Sequence, residues 1–278
     1  MIVSVASGKG GTGKTSVAVN MALSIGNLQL LDCDVEEPND HIFLKPKISS
    51  VQPVTVSVPI VNETLCDRCR KCADFCQYNA LFVGSDEVLV FPDLCHSCGG
   101  CALVCPEEAI SEVPHKIGTL KLGTNGNVEL VYGELEVQKP MAVPIIKEVK
   151  RRIKRDKDAI LDSPPGTSCP VIQTVKNSDF CILVSEPTPF GLHDLKIILQ
   201  VLESMEIPSG VIVNRAGVGD KIIYEFCRGK NIPILLEIPY DKQIAELYSR
   251  GIPFSQEMPE WRAKFLALFN TIRGLAKE

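Results

Sequence analysis

Gly8-Lys9-Gly10-Gly11-Thr12-Gly13-Lys14-Thr15 is the stretch on which the fold turns. It fits the phosphate-cradling template G-x-x-x-x-G-K-[ST]. Before it, Met1-Ile2-Val3-Ser4-Val5-Ala6 is apolar and β-branched and reads as a buried strand. After it, Ser16-Val17-Ala18-Val19-Asn20-Met21-Ala22-Leu23 reads as a helix. Strand, glycine loop and helix start are the context the template needs. Glycines let successive N–H groups turn toward phosphate oxygens. The helix N-terminus adds partial positive charge at the same point. Gly8, Lys9, Gly10, Gly11, Thr12, Gly13 and Ser16 therefore read as the cradle, Lys14 as the reach to the β- and γ-phosphates, and the Thr15 hydroxyl as a Mg2+ ligand.

The 278 residues, 45% hydrophobic and 23% charged, have the balance of a globular chain with ample core material. A net charge of −5 argues against nucleic-acid binding through bulk positive charge. No apolar run approaches the ~20 residues of a membrane span, and the start does not read as a signal peptide. The expected location is cytoplasmic. Eight of the 12 cysteines fall between residues 66 and 105. In a cytosolic chain such clustering points to metal and not to disulfides.

Leu28 to Asp34 reads as a second buried strand ending in acids, and Val51 to Val61, with two prolines, as an edge strand. Asn125-Gly126 between alternating runs signals a hairpin. Lys150-Arg151-Arg152-Ile153-Lys154-Arg155 reads as the solvated face of a helix. From residue 158 short apolar strands alternate with helical segments: Ala159–Asp162, Phe180–Val184, Gly210–Asn214 and Ile234–Ile238. That pattern is a parallel sheet covered on both faces. Trp261, Phe265, Leu268, Phe269, Ile272 and Leu275 share one helical face, expected to pack on the sheet.

The cysteine block repeats internally. Cys66-x2-Cys69-x2-Cys72-x3-Cys76 and Cys95-x2-Cys98-x2-Cys101-x3-Cys105-Pro106 share the spacing of a bacterial two-cluster ferredoxin. Three cysteines at this spacing wrap one face of a cubane, and the fourth, on a departing helix, reaches the other cluster. The expectation is Cys66, Cys69, Cys72 and Cys105 on one [4Fe-4S] cluster, and Cys95, Cys98, Cys101 and Cys76 on the second. Zinc is the rival, but it wants four ligands in one tetrahedral set. Gln77 stands where proline is usual after the fourth cysteine.

With its second lysine, Lys9, the glycine loop resembles the deviant Walker A motif of the MinD/ParA/Mrp ATPases. The resemblance continues at Asp32-Cys33-Asp34, at Asp162-Ser163-Pro164-Pro165-Gly166, at Asn214-Arg215 and at Pro239-Tyr240-Asp241. It implies an ATP-dependent homodimer in which Lys9 acts across the interface, Asp34 positions the attacking water, and Asp162 holds Mg2+ through its water shell. It also implies that Asn214 and Arg215, with Pro239 and Asp241, form the base side of the site. From the residues alone, Asp34 also reads as a loop cap, Asp162 as a helix cap and Asn214 as a turn residue. Cys169 reads either as a small buried residue opening a helix or as a thiol that senses or binds metal near the switch. The subgroup most similar is the one carrying an inserted two-cluster ferredoxin domain. The C-x2-C pair of Mrp-type cluster carriers is lacking in the C-terminal half, where Cys227 stands alone.

The expected architecture is α/β: a mostly parallel P-loop NTPase sheet with helices on both faces, residues 1–60 and 116–278, interrupted at 61–115 by a small α+β ferredoxin-like domain. The expected activity is a slow ATPase coupled to two [4Fe-4S] clusters, with a redox or metallocluster-acceptor protein as partner. A nucleotide-gated electron carrier with negligible hydrolysis, and a positioning protein with structural clusters, are the alternatives.

Overall fold

The computed structural model describes residues 1–276. The remaining two residues of the expected 116–278 segment lie outside the described residues. Eleven strands are formed: β1 (Ile2–Ala6), β2 (Gln29–Asp32), β3 (Lys47–Val61), β4 (Leu81–Val83), β5 (Val88–Val90), β6 (Ile110–Asn125), β7 (Val128–Leu135), β8 (Ala159–Asp162), β9 (Phe180–Ser185), β10 (Ser209–Ala216) and β11 (Ile234–Pro239). The helices are α1 (Lys14–Ile25), α2 (Asp40–Leu44), α3 (Lys71–Phe75), α4 (Gly100–Leu103), α5 (Val143–Lys150), α6 (Cys169–Val175), α7 (Pro189–Ser204), α8 (Ile222–Gly229), α9 (Lys242–Ser249), α10 (Phe254–Glu257) and α11 (Pro259–Leu275).

A nine-stranded sheet runs in the order β11-β10-β9-β1-β8-β2-β7-β6-β3. Strands from β11 to β7 are parallel, and β6 and β3 are antiparallel. Side chains alternate between the two faces, as period-2 strands must. On β9, Phe180, Ile182 and Val184 join the core under α1 and α11, while Cys181 and Leu183 join the core under α6, α7 and α8. The buried face of α11 is the one read from its spacing: Trp261, Phe265, Leu268, Phe269 and Ile272 pack into the first core. A third core, under α5, is built from Ile145, Ile146 and Val149 on Leu31 and Leu161.

The proline-containing run is the sheet's edge strand, β3, four residues longer at its start than the sequence indicates. With β6 it forms a long ribbon that leaves the sheet and holds the cysteine segment at its far end, where Val61 pairs with Ile110. The cysteine segment has its own two-stranded sheet, β4-β5, and its own small core around Val58, Ala80, Leu81, Val83 and Ile110.

Two local readings need correction. Asn125 is the last residue of β6 and pairs with Val128, so Gly126 and Asn127 are the central residues of the hairpin. Gly126 takes the left-handed φ of 54°. Glycine at the first central position suits a hairpin turn with the twist of its strands. The basic cluster is also not a helix face, because α5 ends at Lys150. The Lys150 ammonium donates to the carbonyls of Gln173, Thr174 and Lys176 at 2.9, 2.6 and 2.6 Å and so caps the C-terminus of α6. Arg152 donates to Gln52, and Lys154 pairs with Glu129.

Candidate functional site

β1 and β8 are parallel neighbours with Val5 opposite Asp162, and β2 lies beside β8 with Asp32 opposite Asp162. The glycine loop, the Asp32–Asp34 segment and Asp162 therefore converge at one carboxyl edge, where ligands bind in open α/β sheets. Gly13 precedes α1 with φ 98°, and a Cβ there would lie 2.4 Å from the Asn214 amide nitrogen. At Gly8 a Cβ would lie 2.6 Å from the Asp194 carbonyl oxygen, so the loop rests on the backbone of α7. The Gly166 N–H donates to the Ser7 carbonyl at 3.0 Å, tying the Pro164-Pro165-Gly166 segment to the start of the loop.

The Thr15 hydroxyl donates to Asp162 at 2.6 Å, so the two groups expected around Mg2+ are adjacent. Burial pushes Asp162 up to about 7, against the Thr15 hydrogen bond and the Lys14 charge, with Asp34 adding repulsion. Lys14 is buried, and burial lowers its pKa while Asp162 and Asp34 hold it up. Asp34 is pushed up to about 6, first by burial, with Lys14 opposing and Glu37 and Glu36 reinforcing. The Glu37 N–H donates to the Asp34 backbone carbonyl at 3.2 Å, so the loop turns on the backbone beside the carboxylate. The helix-cap reading of Asp162 fails, since α6 begins only at Cys169. Cys169 does open that helix, but it is exposed, not buried.

The residues expected on the base side are engaged within the chain. The Asn214 amide donates to the Thr12 carbonyl at 2.7 Å, bracing the phosphate loop from β10. The Asp241 carboxylate caps α9, accepting from the Gln243 and Ile244 N–H groups. Pro239 ends β11. Arg215 lies 2.8 Å from Glu186, and Lys9 lies 3.4 Å from the same carboxylate. Glu186 thus holds Lys9 within its own chain. Nothing in the sequence marks Glu186, because its role comes from the loop after β9 passing under the glycine loop. Asp32 and Asp40 also belong to this edge, and Asp40 was not legible either. A cavity of about 370 Å³ separates Asp34, Glu36 and Glu37 from Pro164 and Pro165, with Ala142 and Ile146 on its wall.

At the far end of the ribbon the two cysteine repeats adopt one backbone conformation. Arg68 and Arg70 in the first have φ 59° and 68°, and Ser97 and Gly99 in the second have 54° and 71°. After the fourth cysteines, Asn79 and Glu108 match at 52° and 50°. Left-handed non-glycine residues cost ~1 kcal/mol each, so five at matching positions indicate a constraint stronger than local preference. Such turns point backbone N–H groups inward and make an anion-binding concavity. The Ser97 N–H donates to the Cys95 sulfur at 3.4 Å, and the Ala80 and Ala109 N–H groups donate to Cys76 and Cys105, each at 3.3 Å.

The thiols group across the repeats. Cys76, Cys95, Cys98 and Cys101 line one cavity of about 350 Å³. Cys72 is pushed up chiefly by burial, and the charges that add to it are those of Cys66 and Cys105. Cys69, the remaining member of that expected set, is exposed. Soft sulfur ligands in such sets suit iron–sulfur centres or zinc.

The parallel sheet, the glycine loop at the N-terminus of α1 and the acids at its carboxyl edge define a P-loop nucleotide-binding domain. The chain belongs to the CobQ/CobB/MinD/ParA nucleotide-binding family, whose model matches residues 3–254. An uncharacterized protein of Methanocaldococcus jannaschii is 33% identical over 267 residues, covering 91% of each chain. A ferredoxin of Alicyclobacillus acidocaldarius is 34% identical over 58 residues, 21% of this chain and 69% of that one. The septum site-determining protein MinD of Pyrococcus horikoshii, solved with Mg-ADP, shares the fold with a TM-score of 0.60 at 20% identity, covering 96% of this chain and 93% of that one. Among the described residues no helix is long and apolar enough to cross a membrane.

Proposed function

We propose that the protein is a dimer-forming ATPase switch whose nucleotide cycle governs two [4Fe-4S] clusters held by the segment 61–115, and that it delivers electrons to a partner protein or serves assembly of that partner's metallocluster. The observation that carries the iron–sulfur reading is the crossing of Cys76 into the cavity of Cys95, Cys98 and Cys101. Exchange of the fourth ligand between two C-x2-C-x2-C-x3-C repeats is the two-cluster ferredoxin pattern. The thiol sets, the inward N–H groups and the cavity fit such clusters. When bound, the clusters would supply one-electron redox chemistry. Because each set closes across the repeat boundary, release of a cluster would open both halves, which favours electron delivery over cluster donation.

Lys14 and the loop N–H groups would bind the phosphates, and Thr15 with Asp162 would hold Mg2+. Asp34 would orient the attacking water, and Lys9, freed from Glu186, would reach the second chain's nucleotide. One polar contact supports coupling to the cysteine segment. Lys139 donates to Asp93 of that segment at 2.6 Å and lies 2.9 Å from His115 of β6. The loop carrying Lys139 leads into Ala142 and α5, on the wall of the cavity beside Asp34 and Pro164. A change at that wall would be felt at Asp93.

Lys14→Ala is expected to lose ATP binding, by equilibrium dialysis, while its iron content and visible spectrum match the wild type. Loss of the iron in that variant would contradict separate nucleotide and cysteine sites.

A further inference from the structure

Behind the phosphate loop lies a group of three acids, of which the proposed nucleotide chemistry uses only Asp162. Asp32, Asp40 and Asp162 each place a carboxylate oxygen within 4.8 Å of the others, and all three are buried. Two strands and one helix start make this arrangement: β2 beside β8 sets Asp32 against Asp162, and α2 begins at Asp40.

Asp32 is anchored, accepting the N–H groups of Asp34, Asn39 and Asp40 at 3.0, 2.9 and 3.1 Å. The other two carboxylates are not fully engaged. Neither oxygen of Asp40 has a hydrogen-bond partner, and Asp162 Oδ1 has none, although its Oδ2 accepts from Thr15. These orphaned oxygens belong to side chains at 0% and 1% exposure. The charges acting on Asp40 are all carboxylates, those of Asp32, Asp162 and Asp34. Lys14 acts on Asp162 and Asp34. A buried carboxylate with neither donor nor cation is costly, and buried charges are ordinarily paired or bound to metal.

We propose that Asp32, Asp40 and Asp162 form a divalent-cation site that fills in the absence of nucleotide, sharing Asp162 with the phosphate-loop position but needing Asp40 and not Thr15. All-oxygen donors select a hard cation. The three oxygens all lie within 4.8 Å of one another, close enough to share one divalent ion. The bound ion would neutralise the floor of the nucleotide site and fix α2 against β2 and β8. This inference stands independently of the reading of the cysteine segment.

The test is Mn2+ binding to nucleotide-free full-length protein, read from loss of the free Mn2+ EPR signal. The wild type and Thr15→Val are expected to bind one Mn2+ per chain with similar affinity, and Asp40→Asn to bind at least tenfold more weakly. Equal binding by Asp40→Asn and wild type, or no binding by wild type, overturns the proposal. If Asp40→Asn does not fold, the thermal midpoint of Thr15→Val decides: a rise with added Mn2+ supports the site, and no rise overturns it. Binding of a fluorescent ADP analogue with Mg2+, measured in parallel on each variant, separates failure here from failure of the nucleotide reading.

Discussion

Asp34 gives a pH dependence that an ordinary aspartate would not. Its carboxyl is pushed up to about 6, first by burial, with Lys14 opposing the shift and Glu37 and Glu36 adding to it. The water-positioning role requires the carboxylate. With a pKa of about 6, roughly 90% is ionised at pH 7 and roughly 10% at pH 5, so turnover should fall about tenfold over that interval. With an aspartate near its usual value the same change would cost only about 6%. Stability should move the opposite way. A group whose folded pKa is raised stabilises the fold fully below its unfolded value, near 3.8, and loses that contribution as pH rises through about 6. Activity should therefore rise between pH 5 and 7 while the Asp34 contribution to stability declines. The assay is phosphate release at saturating ATP and Mg2+, where bound Mg2+ would keep Asp162 ionised. Asp34→Asn should give a low rate without the acidic limb. A wild-type rate flat from pH 7 to pH 5, or a limb that survives in Asp34→Asn, would refute the assignment.

Three further substitutions probe other parts of the account. Cys105→Ser should disturb the centre built on Cys66, Cys69 and Cys72, while Cys76→Ser disturbs the one built on Cys95, Cys98 and Cys101; each should lower iron content by about half and leave the other EPR signal, and a variant that loses its own repeat's signal would refute the crossing. Lys150→Met removes the ammonium that holds three carbonyls at the end of α6. It should cost about 2 kcal/mol and lower Tm by roughly 5 °C in a thermal melt, and an unchanged Tm would refute the cap.

Much of the fold is legible because its signals are local. The glycine loop between an apolar strand and a helix, the proline-bearing edge strand and the apolar face of α11 each need only neighbouring residues to be read. The paired cysteine repeats are legible in the same way, and the structure adds matching left-handed residues at Arg68 and Ser97. What escapes is set by register and by side chains that reach across the fold. Asp40 becomes part of the site only because β2 and β8 place Asp32 beside Asp162 and α2 starts above them. Asn214 reads as a base contact or a turn residue, yet its amide braces Thr12. Glu186 has no motif and holds both Lys9 and Arg215. The basic run at 150–155 reads as a helix face because charge alone does not show that Lys150 turns inward to a helix end.

The central claim is that the nucleotide site and the cysteine segment communicate through the ribbon and the Asp93–Lys139 contact. Its most direct test is EPR of the anaerobically reduced protein with and without MgATP. Two interacting [4Fe-4S] signals whose line shape or reduction midpoint changes on adding MgATP, with no change in Lys14→Ala, is the predicted result. Spectra identical with and without MgATP in a protein shown to bind it would contradict the coupling.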